Sequence, residues 1–331
     1  MWSNYHKLYL YCYEILIDIC AHIGILYKKT GTLKNTQYYL AALTAYAIWG
    51  FFSLILKPIH AYPSLDILFY RVFLCAALML LIVLFFKRKQ LKNDVALFKT
   101  LSVKGKRRAA LFNIGGGVLL TANWFSFIYV MNHVSVKATS LAYLVCPILT
   151  TLLAYFLLKE KLNKLQWLAV ALSIAGCLLL SYTRLTDMAF SLVIGFTYAL
   201  YLVTQKVNAG FDKFIVLTFQ IVVSAILLLP FYPVYSAPMP VSFSFYGYIA
   251  IIAVGFTIIP SLLNLYALKG IDTSTAGMLI NVNPLIAFVL ATVVFMEPLD
   301  TMQIIAYSTI FVAVVVFNAR FIFSRKQATL R

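Results

Sequence analysis

The chain contains runs of about twenty mostly apolar residues, and the run from Leu65 to Phe86 is the clearest of them. A helix rises about 1.5 Å per residue, so such a run crosses the roughly 30 Å hydrocarbon core of a bilayer. The 331 residues are 63% hydrophobic and only 11% charged, whereas soluble domains average roughly 45–50% apolar and about 25% charged. The sequence therefore predicts an all-α integral membrane protein, with the lipid bilayer as its surroundings.

Ten such runs can be placed along the chain. They cover residues 38–57, 65–86, 110–131, 138–158, 165–182, 188–205, 214–233, 246–267, 275–296 and 302–323. With the N-terminus in the cytoplasm, the cytoplasmic connections hold 23 of the 27 Lys and Arg residues. The outer connections hold Lys57, Lys137 and Arg184, and Arg71 alone lies within a span. Because positive charge is retained inside, we predict a multi-pass protein of the plasma (inner) membrane with both termini cytoplasmic.

Two prolines and two glutamates indicate an internal repeat. Pro147 precedes Glu160 by the same interval at which Pro284 precedes Glu297. The offset between the two pairs maps the third span onto the eighth and the fourth onto the ninth. Five spans separate the partners, and five is odd, so the second copy is predicted to be inverted in the membrane. Such repeats place a transporter's substrate path at the interface between the halves.

Several motifs give this sequence a family resemblance. They are Ala45 to Gly50, Tyr70-Arg71-Val72, Asn123-Trp124, Ser140 to Tyr143, Pro147, Lys159 to Leu162 and Leu165 to Val170. Together they resemble the RarD-type branch of the EamA transporters, in the drug/metabolite transporter superfamily. The resemblance implies ten helices and the export or exchange of small metabolites. The sequence departs from that branch at Cys146, where Asn is usual, and at Lys206, where a second basic residue is absent.

The predicted division of the chain follows from the spans and the repeat. Residues 38–182 form the first five-helix repeat, 183–323 form the second, and 324–331 form a basic cytoplasmic tail. Residues 1–37 precede the resemblance. Their apolar run carries a polar stripe of acidic and histidine side chains at helical spacing, which is typical of a helix lying on the membrane surface. A misassigned start codon explains the same extension, and the sequence leaves both explanations open.

Arg71 is the leading candidate for substrate recognition, because it lies roughly 9 Å inside the membrane boundary at helical rise. A guanidinium at that depth can hold a carboxylate or phosphate through two parallel hydrogen bonds. Alternatively, Arg71 extends toward the surface or bonds the free carbonyls of a helix end. The other candidates are amides and aromatic residues within spans: Tyr46, Asn123, Trp124, Tyr143, Tyr198, Gln220, Asn264, Asn281 and Asn283. For any single Asn, a hydrogen bond between helices is the more ordinary role.

Three prolines within spans predict broken helices. Pro284 removes the donor for the carbonyl of Ile280, Pro147 is its mate in the first repeat, and Pro260 adds a further break. Broken helices of this kind line transporter sites. We expect Glu160 and Glu297 to bond backbone amides at the start of the following helix. A gating role for these two glutamates remains open.

The ten acidic residues all lie outside the predicted spans or at their ends. Transport coupled to protons through a mid-membrane carboxylate is therefore not predicted, and a secondary transporter of small polar or amphipathic metabolites fits better. A drug efflux permease and a non-transporting scaffold or sensor are the alternatives. An enzyme is not predicted, since no nucleophile–base pair falls within a span, and neither a cofactor nor a metal site is predicted.

The run from Lys87 to Arg108 is strongly basic, yet Phe98 is its only aromatic residue. Because a single aromatic side chain gives nucleic acid bases no series of rings to stack on, nucleic acid is not the predicted partner. The run is instead predicted to anchor the topology or to contact anionic lipids. The sequence does not decide between a monomer and a homodimer.

Overall fold

The computed structural model describes residues 36–133, 136–181, 185–208, 210–294 and 301–319. The predicted extension up to residue 35, Glu297 and the tail 324–331 lie outside the described residues. In chain order the α-helices are α1 Thr36–Gly50, α2 Phe52–Leu56, α3 Ser64–Phe86, α4 Arg88–Thr100, α5 Val103–His133, α6 Val136–Leu158, α7 Lys164–Ser181, α8 Leu185–Val207, α9 Lys213–Leu228, α10 Tyr232–Tyr235, α11 Phe243–Ala253, α12 Ile259–Ala267, α13 Thr273–Leu279, α14 Val282–Val293 and α15 Thr301–Phe317. The described part of the chain contains no β-strand.

Within the described residues, six helical stretches are long and apolar enough to cross a membrane. They are Thr36–Ile59, Ser64–Phe86, Val103–Val130, Met188–Val207, Phe243–Ala267 and Thr273–Leu290. Shorter apolar helices cover Ala142–Leu158, Lys164–Leu180, Lys213–Leu228 and Thr301–Phe317. The predicted all-α, multi-pass membrane class is confirmed. Each of these stretches also falls where the sequence places a span.

One helix was not predicted. The basic connection from Lys87 to Arg108 contains α4, because Arg, Lys, Gln, Leu and Ala are good helix formers. The carboxylate of Asp94 in α4 accepts hydrogen bonds from the backbone N–H of Asp212, with Oδ–N distances of 3.0 and 3.3 Å. Asp212 in turn caps α9 by accepting from the backbone N–H groups of Phe214 and Ile215. Burial and, to a smaller extent, the nearby charge of Asp212 raise the pKa of Asp94.

The three prolines act differently from one another. Helix α6 runs unbroken through Pro147, so the predicted break at that residue is wrong. Membrane helices tolerate such a proline where the surrounding helices hold the segment in place, and α6 packs against both α8 and α13. Before Pro260 the backbone forms a π-helical turn, Val254–Ile258. Before Pro284 the helix is interrupted between α13 and α14.

The break near Pro284 does not leave the expected carbonyl free. The carbonyl of Ile280 accepts a hydrogen bond from the backbone N–H of Asn283 at 3.0 Å. The chain tightens into an i to i+3 turn at this point, which satisfies the group that the proline would otherwise leave unpaired. The expectation of a free carbonyl at Ile280 is therefore wrong.

Small residues bring the helices into close contact. A Cβ atom added at Gly176 in α7 would lie 2.7 Å from the side chain of Ile310 in α15. A Cβ atom at Gly277 in α13 would lie 2.5 Å from the side chain of Thr150 in α6. Membrane helices associate largely through such close packing, because lipid supplies little hydrophobic driving force between them. These contacts hold helices from the two halves of the chain together.

Candidate functional site

An aromatic cluster lies where α1, α8 and α12 meet. The Tyr46 hydroxyl donates to Asn264 Oδ1 at 2.7 Å, and Asn264 Nδ2 donates to the Tyr198 hydroxyl at 3.2 Å. Tyr46 and Asn264 are buried, whereas Tyr198 is partly buried. The Trp49 ring packs against both tyrosines, with centroid distances of 5.8 Å to Tyr46 and 6.3 Å to Tyr198. One asparagine thus joins three of the helices that carry the predicted site.

Trp49 has a second, structural contact. Its indole Nε1 donates to the backbone carbonyl of Phe256 at 2.8 Å. Phe256 lies four residues before Pro260, so its carbonyl is the one that loses its helical donor to the proline. An unpaired carbonyl in hydrocarbon is costly, and the indole supplies the missing hydrogen bond. No pattern in the sequence indicated this pairing.

Arg71 lies in α3 with its guanidinium over the Trp124 ring, 4.8 Å from the ring centroid. Its Nε atom is buried and has no hydrogen-bond partner among the described residues. The Tyr143 hydroxyl is near enough to interact electrostatically with the guanidinium. Trp124 and Tyr143 are partly buried. Since the ring face is occupied by the cation while the Nε–H remains unbound, Arg71 keeps hydrogen-bonding capacity toward a ligand.

Gln220 lies in a second polar group between α5, α8 and α9. Its Oε1 accepts from the Tyr201 hydroxyl at 3.4 Å, and its Nε2 has no partner among the described residues. Gln205, which was not among the predicted site residues, is also fully buried, and its Oε1 has no partner among those residues. Both amides contact Gly116, where an added Cβ would collide with Gln220 Nε2 and lie 2.9 Å from Gln205 Nε2. Sequence reasoning selected Gln220 and missed Gln205, because Gln205 ends its predicted span.

Asn281 and Asn283 flank the break between α13 and α14, and both are buried. The Oδ1 atom of Asn281 has no partner among the described residues, while its Nδ2 approaches the Met278 sulfur at 3.7 Å. The neighbouring Ile280 packs in the same hydrophobic cluster as Tyr46, Trp124 and Tyr143. The break therefore lies beside the aromatic residues of the predicted site.

Asn123 serves a structural purpose. Its Nδ2 donates to the carbonyl of Ile194 at 2.9 Å and to the Thr197 hydroxyl at 3.2 Å. These bonds join α5 to α8, which is the ordinary role of an amide within a membrane helix bundle. Its amide donor is therefore occupied, in contrast with that of Gln220.

Glu160 bonds a different helix from the one expected. Its carboxylate accepts from the backbone N–H of Thr273 at 2.7 Å, and from the backbone N–H and hydroxyl of Ser274 at 2.9 and 2.6 Å. These groups begin α13, whereas the helix that follows Glu160 is α7. Lys159 adopts a left-handed conformation with φ 56°, and it ends α6 immediately before the glutamate. Burial and, secondarily, the Glu160 charge raise the pKa of the adjacent Asp272.

The described residues of this site include no group of three or more His, Cys, Asp or Glu side chains that could hold a metal ion. Instead, the guanidinium of Arg71, several aromatic rings and buried amides lie where α1, α3, α5, α6, α8 and α12 pack together. This combination can hold a small molecule that has a flat or apolar body and an anionic or hydrogen-bonding group. Such a site within an all-helical membrane bundle is typical of a transporter.

The chain belongs to the EamA-like transporter family, which it matches over residues 36–182 and 186–319. It is a membrane transporter of the drug/metabolite transporter type, as the resemblance to the RarD-type branch implied.

Among the relatives, an uncharacterized transporter of Pseudomonas aeruginosa is 27% identical over 87% of this chain and 95% of its own length. The uncharacterized transporter YojE of Bacillus subtilis is 28% identical, over 88% and 95%. The protein RarD of Escherichia coli is 26% identical, over 89% and 98%. One solved crystal structure aligns with a TM-score of 0.67 at 16% identity over 86% of this chain and 98% of its own, a likeness of fold alone.

Proposed function

We propose that this protein is a ten-span secondary transporter, built from two inverted five-helix repeats, that exports, exchanges or facilitates the movement of a small metabolite bearing an anionic group. The buried guanidinium of Arg71, stacked on Trp124 with its Nε–H unbound, is the observation that carries the substrate class. The inverted repeat supplies the mechanism, because rocking one repeat against the other exposes a central site alternately to each side.

The helices cover matched parts of the repeat. The offset between the two proline–glutamate pairs carries Val136–Leu158 of α6 onto residues 273–295, where α13 and α14 lie. The same offset carries Lys164–Ser181 of α7 onto residues 301–318, where α15 lies. Helices of the two halves thus occupy positions that follow the register of the sequence repeat. The family match over two consecutive segments of the chain agrees with the same division.

The packing of the helices supports a pseudo-twofold relation between the repeats. Helix α1 packs on α12 as its counterpart α8 packs on α5, and α1 packs on α14 as α8 packs on α6. Helix α3 packs on α11 as its counterpart α9 packs on α5. Three further contacts, α3 with α9, α6 with α13 and α7 with α15, join each helix to its own counterpart. A twofold axis relating the halves accounts for all of these contacts.

The placement of acidic groups supports transport that does not depend on a proton-binding carboxylate at mid-membrane. Asp66 is the third residue of α3, and its carboxylate accepts from the backbone N–H of Ala237 at 3.2 and 3.3 Å. Glu160 follows the end of α6, and Asp212 and Asp272 immediately precede α9 and α13. A cationic drug would meet Arg71 without a compensating carboxylate among these residues, so drug efflux of that kind is the weaker proposal.

A ligand screen on the purified full chain tests the substrate class. Thermal unfolding would be followed with amino acids, nucleosides, organic acids and antibiotics, and we expect stabilisation by compounds that carry a carboxylate or phosphate. Arg71→Gln should weaken binding of the stabilising compound at least tenfold, since a hydrogen bond to a charged group contributes about 1.5–3 kcal/mol. Arg71→Lys should give intermediate binding, because lysine keeps the charge but loses the planar fork.

Arg108→Gln is the matched control. Arg108 also lies over an aromatic ring, 5.5 Å from the Phe112 centroid, but near the cytoplasmic end of α5. The control should bind the compound as the unaltered chain does.

Proteoliposomes should then move the compound down its gradient with equal pH on both sides. Ligand binding that survives Arg71→Gln would overturn the substrate class, and a strict requirement for a proton gradient would overturn the uncoupled mechanism.

A further inference from the structure

An exposed apolar groove follows the outer face of α5. Arg107, Leu111, Ile114 and Val118 line it at helical spacing, and the three apolar side chains are 67%, 48% and 44% exposed. The groove has a volume of about 550 Å³. Gly115 contributes its floor, since a Cβ atom added there would meet no other atom within 4 Å. The space over this glycine is therefore open to the surroundings of the protein.

The groove matches one leaflet of a bilayer in length. From Arg107 to Val118 there are eleven residue steps, which extend about 16 Å along a helix at a rise of about 1.5 Å each. The hydrocarbon core is roughly 30 Å thick, so one leaflet contributes about 15 Å. The charged end of the groove thus lies at the level of the lipid headgroups when its apolar end lies near the bilayer midplane.

The charged end is strongly basic. Arg107 and Lys104 are exposed there, beside Lys106 and Arg108. The preceding helix α4 adds Arg88, Lys89, Lys92 and Lys99. The acid on α4, Asp94, has its carboxylate bonded to the backbone N–H of Asp212 instead of to any of these side chains. The basic groups consequently keep their charge available to a phosphate.

We propose that this groove is a binding site for one anionic phospholipid of the cytoplasmic leaflet. One acyl chain would lie along Leu111, Ile114 and Val118 over Gly115, and the lipid phosphate would pair with Arg107. The basic residues at the charged end of the groove favour an anionic headgroup. The length of the groove fits an acyl chain, which a soluble phosphate lacks. The site lies on the periphery of the bundle and does not rest on the substrate proposed for Arg71.

Thermal unfolding of the purified full chain in detergent, with titrated lipid, tests this site. We expect phosphatidylglycerol to raise the midpoint temperature, whereas phosphatidylcholine and inorganic phosphate at equal concentration should raise it little. Arg107→Gln should weaken the apparent lipid affinity about fivefold, the usual effect of one basic residue at an anionic surface. Gly115→Leu should abolish the stabilisation, because its side chain would project into the groove from a position where an added Cβ atom meets no other atom within 4 Å.

Two control variants should retain the lipid effect. Gly247→Leu fills an equally open position on α11, and Lys161→Gln removes an exposed lysine from a different connection. Equal stabilisation by phosphatidylcholine and phosphatidylglycerol would overturn the proposal, as would an undiminished phosphatidylglycerol effect in Gly115→Leu.

Light scattering would be recorded on the same samples. Conversion of a dimer to a monomer by Gly115→Leu would assign the groove to a second copy of the chain and overturn the lipid site.

Discussion

At the level of single residues, several buried polar side chains of this transporter join one helix to another. Asn123 links α5 to α8, and Tyr46 links α1 to Asn264 in α12. Buried atoms of Arg71, Gln220 and Asn281 differ, because they have no partner among the described residues. Burying an unpaired polar group is costly, so a ligand that completes these hydrogen bonds gains affinity. The unpaired atoms of these three residues therefore support their place in the candidate site.

The pairing of Trp49 with the Phe256 carbonyl gives a residue-scale prediction. Trp49→Phe should lower the free energy of unfolding by about 1–3 kcal/mol, because it leaves the carbonyl that Pro260 frees without a donor. Chemical denaturation in detergent would measure the change. In a Pro260→Ala background, the backbone N–H of residue 260 can donate to the Phe256 carbonyl. Trp49→Phe should therefore lower the free energy of unfolding by less in that background. An equal cost in both backgrounds would show that the loss arises from packing alone.

Among the helices, the Glu160 carboxylate joins the first half of the chain to the second. Glu160 follows the end of α6, and its carboxylate caps α13 through Thr273 and Ser274. A carboxylate at a helix start satisfies unpaired N–H groups and interacts favourably with the helix dipole. The contact holds α13 to the end of α6, so the rocking motion that we propose would have to break it.

Glu160→Gln tests this contact. The neutral amide retains one acceptor oxygen where the carboxylate has two, so we expect a loss of about 0.5–2 kcal/mol in unfolding free energy. Lys161→Gln, one residue away and exposed, should change stability by less than about 0.5 kcal/mol. If the two variants have the same stability, the capping role is refuted. Faster transport by Glu160→Gln than by the unaltered chain would add a gating role to the structural one.

At the scale of the whole molecule, the inverted arrangement can be tested directly. Lys164 and Thr301 are both exposed, and the offset of the predicted repeat relates them. In a background with Cys12 and Cys20 replaced, Thr301→Cys should react with a membrane-impermeant maleimide in intact cells. Lys164→Cys should react only after permeabilisation. Labelling of both positions from the same side would exclude an inverted repeat.

The positions of the helices could be predicted well from the sequence. The helix breaks and the buried polar residues could be predicted less well. The apolar runs gave helix positions because a bilayer demands long apolar helices. Pro147 and Pro284 have the same sequence signature, yet only the second lies at a break, because the tolerance of a proline depends on the helices packed around it. Gln205 was missed for a related reason, since its burial depends on Gly116 in α5 rather than on its position in a span.

Hydrophobicity and residue spacing are properties of the chain alone, so they were enough to predict an all-helical membrane protein and to indicate the repeat. Which polar groups pair with one another depends on the folded structure. It joined Trp49 to Phe256 and Glu160 to Thr273, and it left Arg71 over Trp124 without an acidic partner among the described residues. These contacts join residues far apart in the chain, so they depend on the folded arrangement of the helices, which local pattern does not encode.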